Sequence, residues 1–189
     1  RNFCSGLDLA DLDTVTDGEL ALRIIRIELL LQRIHALPVP TVAVAGGRVF
    51  GAGADLFAVC DHRLALPGAS FAFPGPAFGL VLGTGRLAGL VGDGAARRLL
   101  LAGAPVEATR ALALGLVTEI VEEAALETVL ASAHAAAVRL DAETVAALHA
   151  RTRRAADDAD LAALARSVAR PGLTARVAAY RAKAMAARK

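Results

Sequence analysis

Tryptophan is absent from this 189-residue chain, tyrosine occurs once, and aromatic residues make up only 4%. A core so poor in rings must be closed by small and branched aliphatic side chains, and alanine supplies much of a hydrophobic fraction of 56%. Lysine is nearly missing as well, standing only at Lys183 and Lys189. Arginine carries the rest of the positive charge, a bias of a GC-rich bacterial genome rather than of any chemistry. The net charge of +2 offers no electrostatic footprint for nucleic acid. The two cysteines, Cys4 and Cys60, form neither a CxxC pair nor a metal spacing. That excludes a disulfide framework and fits a reducing, cytoplasmic setting. No signal-peptide pattern opens the sequence. The longest charge-free run, Leu64 to Gly85, contains Pro67, Pro74, Pro76 and five glycines, so it is not one continuous membrane helix. A soluble domain with a sizeable core is expected.

Leu20, Ile24, Ile27, Leu31 and Ile34 recur at helical spacing and predict a helix over Asp17–Leu37, stopped by Pro38 and Pro40. Arg23, Arg26, Glu28 and Arg33 are placed on its outer surface. Thr41–Ala45 is wholly apolar and reads as a buried strand, broken by Gly46 and Gly47. A short helix is expected from Gly51 through Cys60, a strand over Arg63–Leu66, and then a Pro/Gly-rich loop to Gly85. The pattern is helical over Leu87–Ala102 and Pro105–Leu114, with a strand over Leu116–Val121. Beyond Glu122 nearly everything reads as helix, from Ala124 to Ala156 and from Leu161 to Ala187, with Pro171 and Gly172 as a break. The chain divides accordingly into residues 1–122, strands alternating with helices, and a helical region over 123–189.

Two turns place small residues where backbone must approach something closely: Ser5-Gly6-Leu7-Asp8 and Gly51-Ala52-Gly53. Paired glycine turns at strand ends can aim two backbone N–H groups at one carbonyl oxygen, an oxyanion hole in which each donor is worth roughly 3–4 kcal/mol. Spacing alone leaves ordinary tight turns as the alternative.

The residues around these turns resemble a known family. FCSGLDL, residues 3–9, is similar to the F-C-A-G-A-D-L motif of the crotonase (enoyl-CoA hydratase/isomerase) superfamily. Pro40–Gly47 is similar to its K-P-V-I-A-A-V-N-G strand. Gly51-Ala-Gly-Ala-Asp-Leu with Ala58-Val-Cys-Asp61 resembles its glycine-turn block. Val91–Gly103 and Ala108–Val121 follow the motifs that come next, in the family's order. The resemblance implies an α/β crotonase spiral of ββα units, whose first strands are expected to be missing from this chain. The helical region over 123–189 then serves trimerisation and covers the active site. It implies an acyl-CoA thioester as substrate, coenzyme A arriving as part of it, no separate cofactor and no metal. A homotrimer or hexamer is the expected assembly, with no nucleic acid or membrane as partner, and fatty acid metabolism is the expected context. Leu7 and Ala52 become the oxyanion N–H donors. Cys4, Ser5, Gly6, Asp8, Leu9, Gly51, Gly53, Pro74 and Gly75 become substrate-binding positions. The helix Asp17–Leu37 is expected to wall the acyl pocket.

The family's acids are reduced. The glutamate that hydratases carry on the helix after the glycine turn is Asp55, and the second falls at Gly75, which has no side chain. The aspartate that some isomerases use a few residues on is also missing, since Leu82-Gly83-Thr84-Gly85 stands there in a shortened loop. One carboxylate can shuttle a proton between carbons, as an isomerase needs, whereas hydration often uses two. Asp55 can equally be a helix-start acid favoured by the dipole and free N–H groups. A non-catalytic, CoA-binding accessory subunit is therefore the rival to an enzyme.

The remaining candidates have plainer readings. Asp8, Asp11, Asp13, Asp17 and Glu19 do not match an EF-hand spacing and read as a solvated loop. Gly51-Ala-Gly53 lacks the third glycine of a dinucleotide turn, and no phosphate loop occurs. His35, His62, His134 and His149 have no nucleophile partner. Cys4 reads as packing. Arg97, Arg98, Arg176, Arg181 and Lys183 are either contacts for CoA phosphates or a solvated helix face.

Overall fold

The computed structural model describes residues 1–153 and 156–186. Helix α1 (Asp17–His35) starts at a capping box. The Thr16 hydroxyl accepts from the Glu19 amide while the Glu19 carboxylate accepts from the Thr16 amide. Its buried face is Leu20, Ile24, Glu28 and Leu31. Glu28 is thus not on the outer surface, as expected from the sequence, but fully buried, for a reason that lies in the site.

The core is built from strand–strand–helix units. The first is β1 (Val42–Ala45), β2 (Arg48–Phe50) and α2 (Ala52–Ala58). The second is β3 (His62–Ala65), β4 (Ser70–Ala72), a 3-10 turn (Gly75–Phe78) and α3 (Thr84–Val91). Each unit gives one strand to each of two small sheets: β1 runs parallel to β3, and β2 parallel to β4. Helix α4 (Asp93–Ala102) precedes β5 (Val106–Glu107), which closes the second sheet antiparallel to β4. After α5 (Ala108–Ala113), β6 (Glu119–Ile120) joins β3 in the first. Phe57, Phe71, Phe73, Val49, Leu87 and Leu116 fill the interior, where Phe57 and Phe71 pack with centroids 4.9 Å apart.

The segment before Ser5 is held against β2 and the turn that precedes it. Cys4 bridges Val49 on the free edge of β2, Phe50 N–H donates to the Cys4 carbonyl at 2.9 Å, and Phe3 N–H donates to Gly46 at 3.0 Å.

Several elements depart from the sequence expectation. Strands β2 and β4 are only three residues long, too short to show a period, and β4 lies within the expected Pro/Gly loop. Gly92 splits the expected helix 87–102 into α3 and α4. Val106 and Glu107 pair as a strand rather than opening a helix. The strand expected over Leu116–Val121 shrinks to two residues. The long helix expected from Ala124 breaks at Asp141, whose carboxylate caps the Thr144 amide and starts α7 (Ala142–Thr152) after α6 (Leu126–Ala137). Helices α8 (Asp157–Val168) and α9 (Leu173–Ala186) follow, separated at Pro171–Gly172. The expected helical positions 154, 155 and 187 lie outside the described residues.

Helices α8 and α9 pack back on α1 in the same chain. Leu164, Val168, Leu173 and Val177 share one apolar cluster with Leu12, Leu20, Ile24 and Leu80. A clasp sits beside it. Asp17, at the start of α1, accepts hydrogen bonds from the Gly172, Leu173 and Thr174 amides and from the Thr174 hydroxyl, at 2.7–3.0 Å. Those are N-terminal donors of α9 that have no partner within the helix.

Candidate active site

The two glycine turns meet. A Cβ on Gly6 would stand 2.9 Å from both the Ala52 nitrogen and the Phe50 carbonyl oxygen, and one on Gly53 would overlap the Cys4 carbonyl. Only residues without side chains let the turns interlock this closely. Gly6 also has φ of +91°, a backbone conformation that L side chains rarely adopt. The interlock sets Gly6, the residue before Leu7, against the nitrogen of Ala52, the first residue of α2. Among the described residues neither the Leu7 nor the Ala52 N–H donates to a protein acceptor.

Both residues border one apolar cavity of about 110 Å³. Ile24 and Ile27 of α1, Phe73 of the strand exit, Leu80 and Leu82 of the loop, and Val177 and Tyr180 of α9 supply its walls. Phe78 stacks on Tyr180 with centroids 5.0 Å apart. Among the described residues, Asp55 is the only carboxyl on the lining.

Asp55 sits one turn into α2, only 6% exposed. Its carboxyl caps nothing: the N-cap, Gly51, has no side-chain bond, and no protein donor reaches the Asp55 oxygens among the described residues. Its Oδ1 lies instead against Gly83, whose Cβ would come within 2.6 Å. Burial pushes its pKa up to about 8, opposed by the Arg86 guanidinium and reinforced by the Glu28 and Asp160 carboxylates. Burial thus favours the protonated form of Asp55.

The buried face of α1 explains those neighbours. Arg86 of α3 binds Glu28 through both guanidinium nitrogens, at 2.8 and 2.5 Å, with both side chains almost wholly buried. Asp160 and Asp157 of α8 approach the same guanidinium at 3.8 and 3.9 Å. The signal for Glu28 was present in the sequence, because it falls in phase with Leu20, Ile24 and Leu31. Arg86 and Asp160 gave no such signal, being brought in by tertiary packing.

Of the residues singled out from the sequence, Ser5, Leu7, Leu9, Gly51, Ala52, Asp55, Pro74 and Gly75 border the cavity. Cys4, Gly6 and Gly53 lie behind its wall as the packing that joins the turns. The Asp8 carboxylate turns away and accepts the Ala10 amide. Tyr180 was missed, sitting in a helix that read only as a tail. The acidic loop holds the fold together: Asp11 pairs with Arg23, Asp13 with Arg181, and Asp17 with α9. Among the described residues no cluster could hold a metal ion. Arg181 also binds the Leu9 carbonyl, and Arg176 that of Ser167, so both tie α9 down rather than standing in solvent. Arg63 spans the Cys60 and Leu116 carbonyls, and Asp61 caps Thr41, which makes that stretch structural.

Stacked strand–strand–helix units with interlocked glycine turns over a cavity are the crotonase fold. The family model for enoyl-CoA hydratase/isomerase matches residues 1–175, and the chain belongs to that family. It is similar to a solved protein from Bordetella parapertussis assigned as an enoyl-CoA hydratase/isomerase, with 46% identity and a TM-score of 0.94 over 96% of this chain and 76% of that one. Among curated proteins it is 33% identical over 124 residues to the mitochondrial enoyl-CoA hydratase domain-containing protein 2 of Bos taurus. It is 36% identical over 120 residues to the ethylmalonyl-CoA decarboxylase of Gallus gallus. Those matches cover 64% and 61% of this chain but only 42% and 40% of the relatives. No helix among the described residues is long and apolar enough to cross a membrane.

Proposed function

We propose that this protein acts on an acyl-CoA thioester, holding the thioester oxygen between the Leu7 and Ala52 amides and exchanging a proton at carbon through Asp55. The observation that carries the reading is that Leu7 and Ala52, from the two interlocked glycine turns, and one buried carboxyl line a single cavity. As negative charge moves onto the thioester oxygen, the fixed donors stabilise an enolate. The apolar walls receive the acyl chain, and coenzyme A, brought by the substrate, runs along residues 4–9. With Gly75 in place of a second acid, double-bond isomerisation suits the site better than hydration. Asp55, in its ionised form, removes a proton from one carbon and returns it to another, leaving the enzyme unchanged.

One observation favours a second reaction. The Asp55 carboxyl is buried and receives no protein donor, which favours its protonated form and suits an acid better than a base. Loss of carbon dioxide from a malonyl-type thioester leaves its electron pair as the enolate. The Asp55 proton then goes to the α-carbon and solvent restores it. The similarity to an ethylmalonyl-CoA decarboxylase agrees with this alternative.

The test incubates the protein in heavy water with a 2-enoyl-, a 3-enoyl- and a malonyl-type CoA ester, followed by mass spectrometry. Isomerisation or decarboxylation with deuterium at carbon, lost in Asp55→Asn, supports the proposal and tells the two reactions apart. Binding without turnover or deuterium uptake for any of the three overturns it in favour of an accessory CoA-binding subunit. A homotrimer or hexamer in the cytoplasm is the proposed setting, and light scattering gives the assembly.

A further inference from the structure

We propose that Glu28 and Asp160, by engaging the Arg86 guanidinium, form a buried network that holds the proton on Asp55 around neutral pH, with the two carboxylates as its positioning residues. This rests on reading Asp55 as the proton carrier, and concerns how the fold keeps it loaded.

Arg86 is the cation near enough to ionise Asp55. Its Nη2 and the Asp55 Oδ1 both border the point where a Gly83 Cβ would stand, at 3.5 and 2.6 Å. Yet it gives Asp55 no hydrogen bond: its two terminal nitrogens are drawn to Glu28, which holds the guanidinium in a bidentate pair. Asp160 faces what remains of the guanidinium and is itself fixed, accepting the Gly85 amide at 3.0 Å. Gly85 must lack a side chain for this, since a Cβ there would meet the Asp160 oxygens at 2.9 and 3.0 Å. The two glycines of the Gly83-Thr84-Gly85 turn therefore make room for one carboxyl each.

Charges reach Asp55 from three helices: Glu28 from α1, Arg86 from α3 and Asp160 from α8. Strand β2, also against α2, brings only Arg48, which is exposed. Asp157 pairs outward with Arg153 at 3.2 Å. Two guanidiniums already stand against three carboxylates in and beside the network. Ionised Asp55 would add a further uncompensated charge at a carboxyl that is only 6% exposed. Retaining the proton avoids that cost, in agreement with the upward push that burial, Glu28 and Asp160 give this carboxyl.

The test follows the Asp55 proton directly, by NMR titration of protein carrying carboxyl-labelled aspartate, with the Asp55 signal identified by its loss in Asp55→Asn. The wild-type midpoint is expected near neutrality. Asp160→Asn keeps an acceptor for the Gly85 amide but removes the charge, and should lower the midpoint by about one pH unit or more. Glu28→Gln should lower it too by releasing Arg86, while Asp13→Asn, on the exposed loop, should leave it in place. If Glu28→Gln does not fold, Asp160→Asn decides. A wild-type midpoint in the ordinary carboxylate range, or an unmoved midpoint in Asp160→Asn, overturns the proposal. Because no product is measured, the two readings fail separately. A network-dependent midpoint without turnover sinks the enzyme alone, and turnover with an ordinary midpoint sinks the network alone.

Discussion

Asp55 and Gly83 occupy each other's space: the carboxyl oxygen of one fills the position where the other would carry its Cβ, 2.6 Å away. The missing side chain at 83 is thus a condition for burying the acid at 55, and not only the loss of an acid. Gly83→Ala should therefore destabilise the fold by about 1–3 kcal/mol in denaturant titration, combining overpacking with strain at φ of +59°. In an Asp55→Ser background the same substitution should cost less. Equal costs in both backgrounds would mean that the two residues are not coupled.

The buried acid should also show in stability against pH. Unfolded, Asp55 releases its proton near 3.8, and folded, near 8. Between those values the folded state holds the extra proton, so stability falls as pH rises, by at most about 1.4 kcal/mol per pH unit. Asp55→Asn, close in shape to the protonated acid, lacks this term. Its denaturation midpoint should track the wild type near pH 4 and exceed it increasingly toward pH 9. Parallel curves would contradict a buried protonated carboxyl.

Gly6 carries the interlock between the turns. Gly6→Ala should press on the Ala52 nitrogen and tilt the Leu7 amide out of line. A fall of about 10²–10³-fold in kcat is expected, comparable to losing one oxyanion donor. A mutant that is folded by circular dichroism and keeps the wild-type kcat would remove Gly6 from the site.

The clasp at Asp17 makes a prediction at the acid end. Hydrogen bonds from the Thr174 hydroxyl, first, and the Thr174, Leu173 and Gly172 amides hold its pKa down, to about 2. Its contribution is present above the ordinary value of 3.8 and is lost as pH falls through about 2. Hydrogen exchange at neutral pH should show amides 172–174 losing protection in Asp17→Ala, while amides of β1 and β3 keep theirs.

Tyr180 is the only tyrosine in a chain without tryptophan, and it lies on the cavity wall. Its fluorescence is a built-in probe. Acyl-pantetheine thioesters, which lack the absorbing adenine, should change its intensity saturably. An unchanged signal under conditions where calorimetry detects binding would place the ligand elsewhere.

The sequence showed the site's backbone better than its charges. The glycine turns, Asp55 and the apolar stripe of α1 were legible because each follows from a local requirement: a close approach, a helix start, a period. Strands β2 and β4 were not legible, since three residues are too few for alternation to register and their pairing partners are distant in the chain. Arg86 and Asp160 were hidden for the same reason. Nothing local tells a surface arginine from one that meets a glutamate 58 positions away. Tyr180 belongs with them, a cavity residue 125 positions from Asp55.

The cavity has walls from both ends of the sequence, Ser5 on one side and Tyr180 on the other. A growing chain therefore cannot complete it before α9 has been made. Until α9 has left the ribosome and closed onto Asp17, Ile24 and Leu80 face an open side, and the apolar floor is exposed to any chaperone that reads such surfaces. Maturation of the pocket is thus timed to α9 rather than to the core that carries its acid.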